Sequence, residues 1–131
     1  MTKKLLEKWQ KILSDIKLIP LLIGMGAFFI AHVLTFFQLN GQFLYKSFQK
    51  HEWAVAAAGV ILSFFYIWGT KYTVEAFSGL LWPGRFIGFG VGMVVYAIMV
   101  SYFFNEGINL KTMTSLILAT GLVCVQVFWK V

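Results

Sequence analysis

The chain has 131 residues, of which 60% are hydrophobic, 18% aromatic and only 12% charged, with a formal net charge of +6. Soluble domains are nearer 45–50% apolar and about 25% charged, so this balance excludes an ordinary water-soluble fold and implies an all-α, polytopic membrane protein. No stretch of ordinary composition is long enough for an appended soluble domain, and the positive charge lies at helix ends, where membrane topology uses it, not in a nucleic-acid-binding patch.

Residues 1–17, MTKKLLEKWQKILSDIK, place Leu5, Leu6, Trp9, Ile12, Leu13 and Ile16 on one helical stripe. Lys3, Lys4, Lys8, Lys11 and Lys17 occupy the remaining surface with Glu7 and Asp15. This pattern predicts an amphipathic helix lying on the bilayer, lysines toward anionic headgroups, with a partner-binding helix as the alternative. A cleavable signal peptide is not expected, because the charged region is too long and no small-x-small site follows the next apolar run.

Residues 18–131 then read as a four-helix transmembrane domain. The first span covers about residues 18–39, with Pro20 in its first turn, where a missing N–H costs little, and His32 as its one ionisable residue near mid-depth. The second covers about 53–70, bounded by Trp53 at one end and by Trp68 and Tyr72 at the other, as interface aromatics should be. Between Lys71 and Gly84 lies an uncharged run too short to cross, which predicts an interfacial or re-entrant piece broken at Pro83-Gly84. Charge-free runs over 86–105 and 112–129 give the third and fourth spans; at about 1.5 Å per residue each reaches across the roughly 30 Å hydrocarbon core.

With the N-terminus inside, Lys3, Lys4, Lys8, Lys11, Lys17, Lys71, Arg85 and Lys130 fall on the cytoplasmic side, against Lys46, Lys50 and Lys111 outside. The positive-inside rule therefore predicts both termini in the cytoplasm. Without residues 1–17 the two sides carry equal numbers, so the surface helix sets the orientation. A one-way insertion favours a parallel dimer or a different partner. Cys124 stands alone in the fourth span, excludes an internal disulfide and reads as a small buried hydrophobe.

The run Tyr102-Phe103-Phe104-Asn105-Glu106-Gly107-Ile108-Asn109, followed by Ser115-Leu116-Ile117-Leu118 and Gly121, resembles the closing hairpin of the drug/metabolite transporter superfamily. Gly90-Val91-Gly92 and its apolar tail to Phe104 are similar to the third helix of the small multidrug resistance branch, whose members have four helices and close to this length. The likeness covers about the last 45 residues. It implies a small oligomeric transporter that moves an organic solute by alternating access. Ala31-His32-Val33 occupies about the place where that branch carries Ala-Glu-Val, its proton and cation site; Arg85 falls where a substrate-contacting Tyr stands, and Gly88 where a Trp stands. The Gly-x6-Gly spacing of that branch's last helix is not reproduced, so dimerisation through the fourth span is not implied.

His32 is a functional candidate because a polar side chain at mid-membrane must face protein or water. It would couple protons or bind substrate; the alternative is a neutral imidazole hydrogen-bonded to a neighbouring helix. A neutral or positive imidazole does not attract a cation, which argues against cation/proton exchange of the kind run by the resembled Glu. Arg85 would suit an anionic or zwitterionic ligand, or would start its helix and snorkel to phosphate headgroups. Gly84, Gly88 and Gly92 are spaced by four and share a face, with Gly90 beside it; small-xxx-small spacing predicts close helix packing within the bundle or across a dimer, and permits a bend at 90–92. Glu106 reads as a solvated cap.

No H-E-x-x-H, C-x-x-C, phosphate loop or Ser-His-Asp set is present, and His32 with His51 makes no metal site, so neither an enzyme nor a cofactor is expected. Two functions fit: a drug/metabolite-type transporter acting on a small-molecule substrate, as a homodimer or other oligomer, or a non-transporting subunit packed into a larger membrane complex.

Overall fold

The computed structural model describes residues 2–129, and among them every regular element is an α-helix. In order these are α1 (Lys3–Ser14), α2 (Leu18–Leu44), α3 (Lys46–Lys50), α4 (Glu52–Ala57), α5 (Gly59–Ala76), α6 (Leu81–Phe103) and α7 (Leu110–Phe128). Among the described residues four stretches are long and apolar enough to cross a bilayer: α2, α4 and α5 taken together over Glu52–Ala76, α6 and α7. Their outward faces carry Leu18, Ile19, Ile23, Ile61, Leu81 and Leu118, all well exposed. Such an apolar exterior would be an anomaly in water and is what acyl chains require. The protein is thus a multi-pass, all-α membrane protein.

The ends of the spans differ from the sequence expectation, for local reasons. The chain does not break at Pro83-Gly84. It turns instead at Ser78-Gly79, where Ser78 has φ 58° and Gly79 φ 90°. There the Gly79 N–H reaches the Val74 carbonyl at 2.8 Å and the Ser78 N–H reaches the Glu75 carbonyl at 3.2 Å. These are the two bonds of a Schellman ending, which satisfies the last carbonyls of α5. No re-entrant piece is formed: α5 runs on to Ala76 and α6 begins at Leu81. Pro83 is the third residue of α6, where its missing N–H is one that the helix would leave unpaired anyway. The third span ends near Asn105, which takes φ 54° just past the cap. α7 starts at Leu110, two residues earlier than its charge-free run, because the Asn109 side chain accepts the Thr112 N–H at 2.9 Å. The second span is interrupted at Ala58, between α4 and α5. There Gln38 Nε2, arriving from α2, donates to the Val55 carbonyl in the last turn of α4 at 3.2 Å.

α2 is the central helix. α5 crosses it antiparallel and closely: a Cβ added at Gly24 would lie 2.9 Å from the Thr73 backbone nitrogen and 3.1 Å from the Gly69 carbonyl oxygen. The Lys17 N–H donates to the Ala76 carbonyl at 3.0 Å, tying the start of α2 to the end of α5. α6 runs parallel to α2 and lays its glycine face on it. α7 packs back along α6, with Val123 against Gly90. α1 sits beside the far end of α7, its Trp9 ring edge-on to Phe128 at 5.7 Å and Ile12 buried. Lys130, counted in the charge balance, lies outside the described residues. Cys124 is exposed, contrary to the expectation of a buried thiol: α7 packs mainly on α6, and most of its surface stays uncovered.

The α2–α5 contact yields a matched pair of variants. Gly24→Ala meets backbone atoms that cannot swing aside, and should lose about 1–3 kcal/mol of unfolding free energy in mixed detergent micelles. Gly26→Ala, with nothing within 4 Å, should leave the transition unchanged or raise it slightly.

Candidate functional site

Gly24, Phe28, His32 and Phe36 recur every fourth residue and form one ridge of α2. Gly84, Gly88, Gly92 and Tyr96 do the same on α6. The ridges meet in register. A Cβ at Gly88 would lie 3.1 Å from the tip of the Phe28 ring, and one at Gly92 would lie 2.6 Å from His32 Cε1. One step further, the Phe36 and Tyr96 rings meet edge-on at 5.9 Å. Gly84 receives Thr73 of α5, whose Oγ1 would be 2.9 Å from an added Cβ. The glycine face expected to mediate close packing is therefore used inside the chain, as a row of sockets for side chains of α2 and α5. Gly90 lies off this face, against Val123, and α6 is helical throughout 90–92 without a break.

His32 is held at both ring nitrogens. Nε2 lies 2.9 Å from the Gly88 carbonyl oxygen. A carbonyl only accepts, so Nε2 carries the proton and donates, which leaves Nδ1 as the acceptor in the neutral ring. The Tyr66 hydroxyl, 3.4 Å from Nδ1, is placed to donate to it. The Thr35 hydroxyl then donates to the Tyr66 oxygen at 2.6 Å. The order Thr35, Tyr66, His32, Gly88 links α2, α5 and α6 across the middle of the bundle. Tyr66 and Thr35 were not singled out for this role in the sequence. The usable signal was spacing: Thr35 is one turn from His32, and Tyr66 is the polar aromatic near the centre of the second span.

The row opens on a cavity of about 860 Å³ between α5 and α6, floored by α2. His32 and Tyr66 stand at its inner wall, with Phe28 below, and Arg85, Trp82 and Phe86 stand toward the start of α6. His32 is half-buried and Arg85 exposed. The structure thus brings His32 and Arg85, far apart in sequence, to one space, and puts Gly88 and Gly92 on its wall while Gly84 and Gly90 stay outside it. Glu106 is exposed in the hairpin turn and distant from the cavity lining. Among the described residues no group of His, Cys, Asp or Glu could hold a metal ion. Comparison of the chain with family models, with curated proteins and with solved structures finds no match.

Two substitutions test this arrangement. Tyr66→Phe removes the hydroxyl that serves both His32 and Thr35 and should cost on the order of 1 kcal/mol, two interhelical hydrogen bonds at about 0.6 kcal/mol each in a membrane. Gly92→Val fills the His32 socket and should cost more, about 1–3 kcal/mol, while shifting the imidazole resonances in NMR spectra of selectively labelled protein.

Proposed function

We propose that this protein is a small membrane transporter of the drug/metabolite type, moving a small organic solute by alternating access as a homodimer or other oligomer. The observation that carries the reading is the 860 Å³ cavity within the spans, with His32 on its inner wall and Arg85 at its outer end. A space of that size lies within the range of small-molecule sites, and a mid-depth polar side chain beside it is the expected place for a coupling group. His32 is the proton-coupling or substrate-binding residue in this reading, Arg85 the substrate contact. The likeness of residues 102–121 to the closing hairpin of the drug/metabolite transporter superfamily gives it further support.

A second reading, a non-transporting subunit of a larger membrane complex, rests on a separate observation. α7 packs mainly on α6, and Ile117, Leu118, Leu122 and Val125 on it remain exposed. In either reading α1 lies on the cytoplasmic leaflet. Leu5, Leu6 and Leu13, exposed on α1, enter the headgroup boundary, its lysines meet anionic lipid, and both termini are cytoplasmic.

Reconstitution decides between the two. Proteoliposomes of the wild type should move at least one solute of a broad panel of small organic acids, zwitterions and bases. Loss of one charged or hydrogen-bonded contact, in Arg85→Gln or His32→Ala, should slow that flux by about tenfold or more. No flux of any solute, with co-purification of a stoichiometric membrane partner, is the outcome that sinks transport. Orientation has its own test: replacing Lys3, Lys4, Lys8, Lys11 and Lys17 together with Gln leaves equal Lys and Arg on the two sides, so a protease-accessible C-terminal tag should go from one-sided to mixed.

A further inference from the structure

The geometry points to a monoanionic amphiphile as the occupant of the α5–α6 cavity, an organic acid whose carboxylate or equivalent sits on Arg85 and whose aromatic or alkyl body lies against Phe86, Phe89 and Met93. The inference deepens the transport reading and rests on it for the meaning of the ligand as cargo.

Charge comes first. Among the described residues Arg85 is the sole side chain of fixed charge lining the cavity, and no Asp or Glu lines it. Glu75, at the end of α5, and Glu106, in the turn after α6, are both exposed and outside the lining. Arg85 forms no ion pair among the described residues, so its guanidinium is free to meet an incoming anion. Attraction of this kind is strengthened by low-dielectric surroundings, and Arg85 stands at the mouth of a space lined by Phe28, Phe86, Phe89 and Met93. A planar, forked guanidinium also matches a carboxylate with two parallel bonds.

The polar groups deeper in the cavity do not offer a site for a cation. His32 Nε2 is committed to Gly88, and Nδ1 to the Tyr66 hydroxyl. What remains for a positive ligand is the uncharged hydroxyls of Thr70 and Tyr96 and the aromatic faces, with no carboxylate among them, and Arg85 repels it. The Glu-centred cation site of the resembled transporters therefore has no counterpart in this cavity.

Shape fixes the orientation. Trp82, Arg85, Phe86, Phe89, Met93 and Tyr96 follow one another on a single side of α6. Arg85 is in the second turn of the helix, next to the exposed Leu81 and Trp82, and Tyr96 lies about 16 Å further along at 1.5 Å per residue. An acid with its head at the membrane surface and its body pointing toward mid-depth fits that groove in the posture it would hold in the bilayer. Two sources supply such a molecule: a soluble aromatic acid or a fatty acid already in the membrane.

The test uses the full-length protein in nanodiscs of zwitterionic lipid, empty nanodiscs as the blank, and calorimetric titration. The probes are 2-naphthoate, its neutral amide, the cation 2-naphthylmethylammonium, and dodecanoate. We expect saturable binding of at least one of the two acids, about tenfold tighter than the amide for the naphthyl pair if that acid binds, and no saturable binding of the cation. Arg85→Gln should weaken acid binding by about tenfold or more, Arg85→Lys by less, and Arg85→Gln should leave the amide unchanged. An unchanged thermal transition in Arg85→Gln shows that the loss is not one of folding. A cation that binds as tightly as the acid, an acid affinity indifferent to Arg85→Gln, or no saturable binding of either acid overturns the inference. Naphthoate and dodecanoate preference separates the soluble from the membrane source, both of which support it. Acid binding without flux would leave this inference standing and remove transport; flux of a cation without acid binding would do the reverse.

Discussion

The bundle depends on the absence of side chains along one edge of α6. Because Gly88 and Gly92 present only backbone there, α2 can press Phe28 and His32 into the space that a Cβ would occupy. In lipid this matters more than in water. The bilayer is as apolar as leucine, so burying hydrophobic area between helices contributes little, and association relies on close van der Waals contact and interhelical hydrogen bonds. The glycine face supplies both. It permits the approach, and it bares the Gly88 carbonyl to which His32 donates.

The same contact explains why an imidazole is tolerated at mid-membrane. An unpaired polar group there would carry the full cost of desolvation. His32 avoids it by giving its proton to a backbone carbonyl and taking one from Tyr66, which is in turn served by Thr35. No buried side-chain nitrogen or oxygen among the described residues is left without a partner. The network and the cavity are two sides of one arrangement: α6 is held to α2 by its glycines, and on the flank toward α5 its bulky Trp82, Phe86 and Phe89 line a space instead of closing it. Arg85 faces that space at the end nearer the membrane surface, where its charge is least costly.

The four spans were legible from charge-free length alone, since lipid leaves the backbone no alternative to helix. Their ends were less so. Pro83-Gly84 is a breaker pair by composition, yet it lies inside α6, because a proline in a helix's first turn forfeits nothing. The true break, at Ser78-Gly79, is made by two hydrogen bonds back into α5. The contact of Gln38 with the end of α4, and the exposure of Cys124, likewise belong to the packing of helices and not to any local pattern.

What the sequence determined by itself was the number of crossings, the glycine spacing on the third of them, and two residues, His32 and Arg85, too costly to be placed in a membrane without cause. Periodicity and charge are local properties, so a single chain displays them. Which face the glycines met, which partners satisfied His32, and that His32 and Arg85 share one cavity were decided only when α2, α5 and α6 came together. Those facts belong to contacts between residues distant in sequence, and no spacing along the chain encodes them.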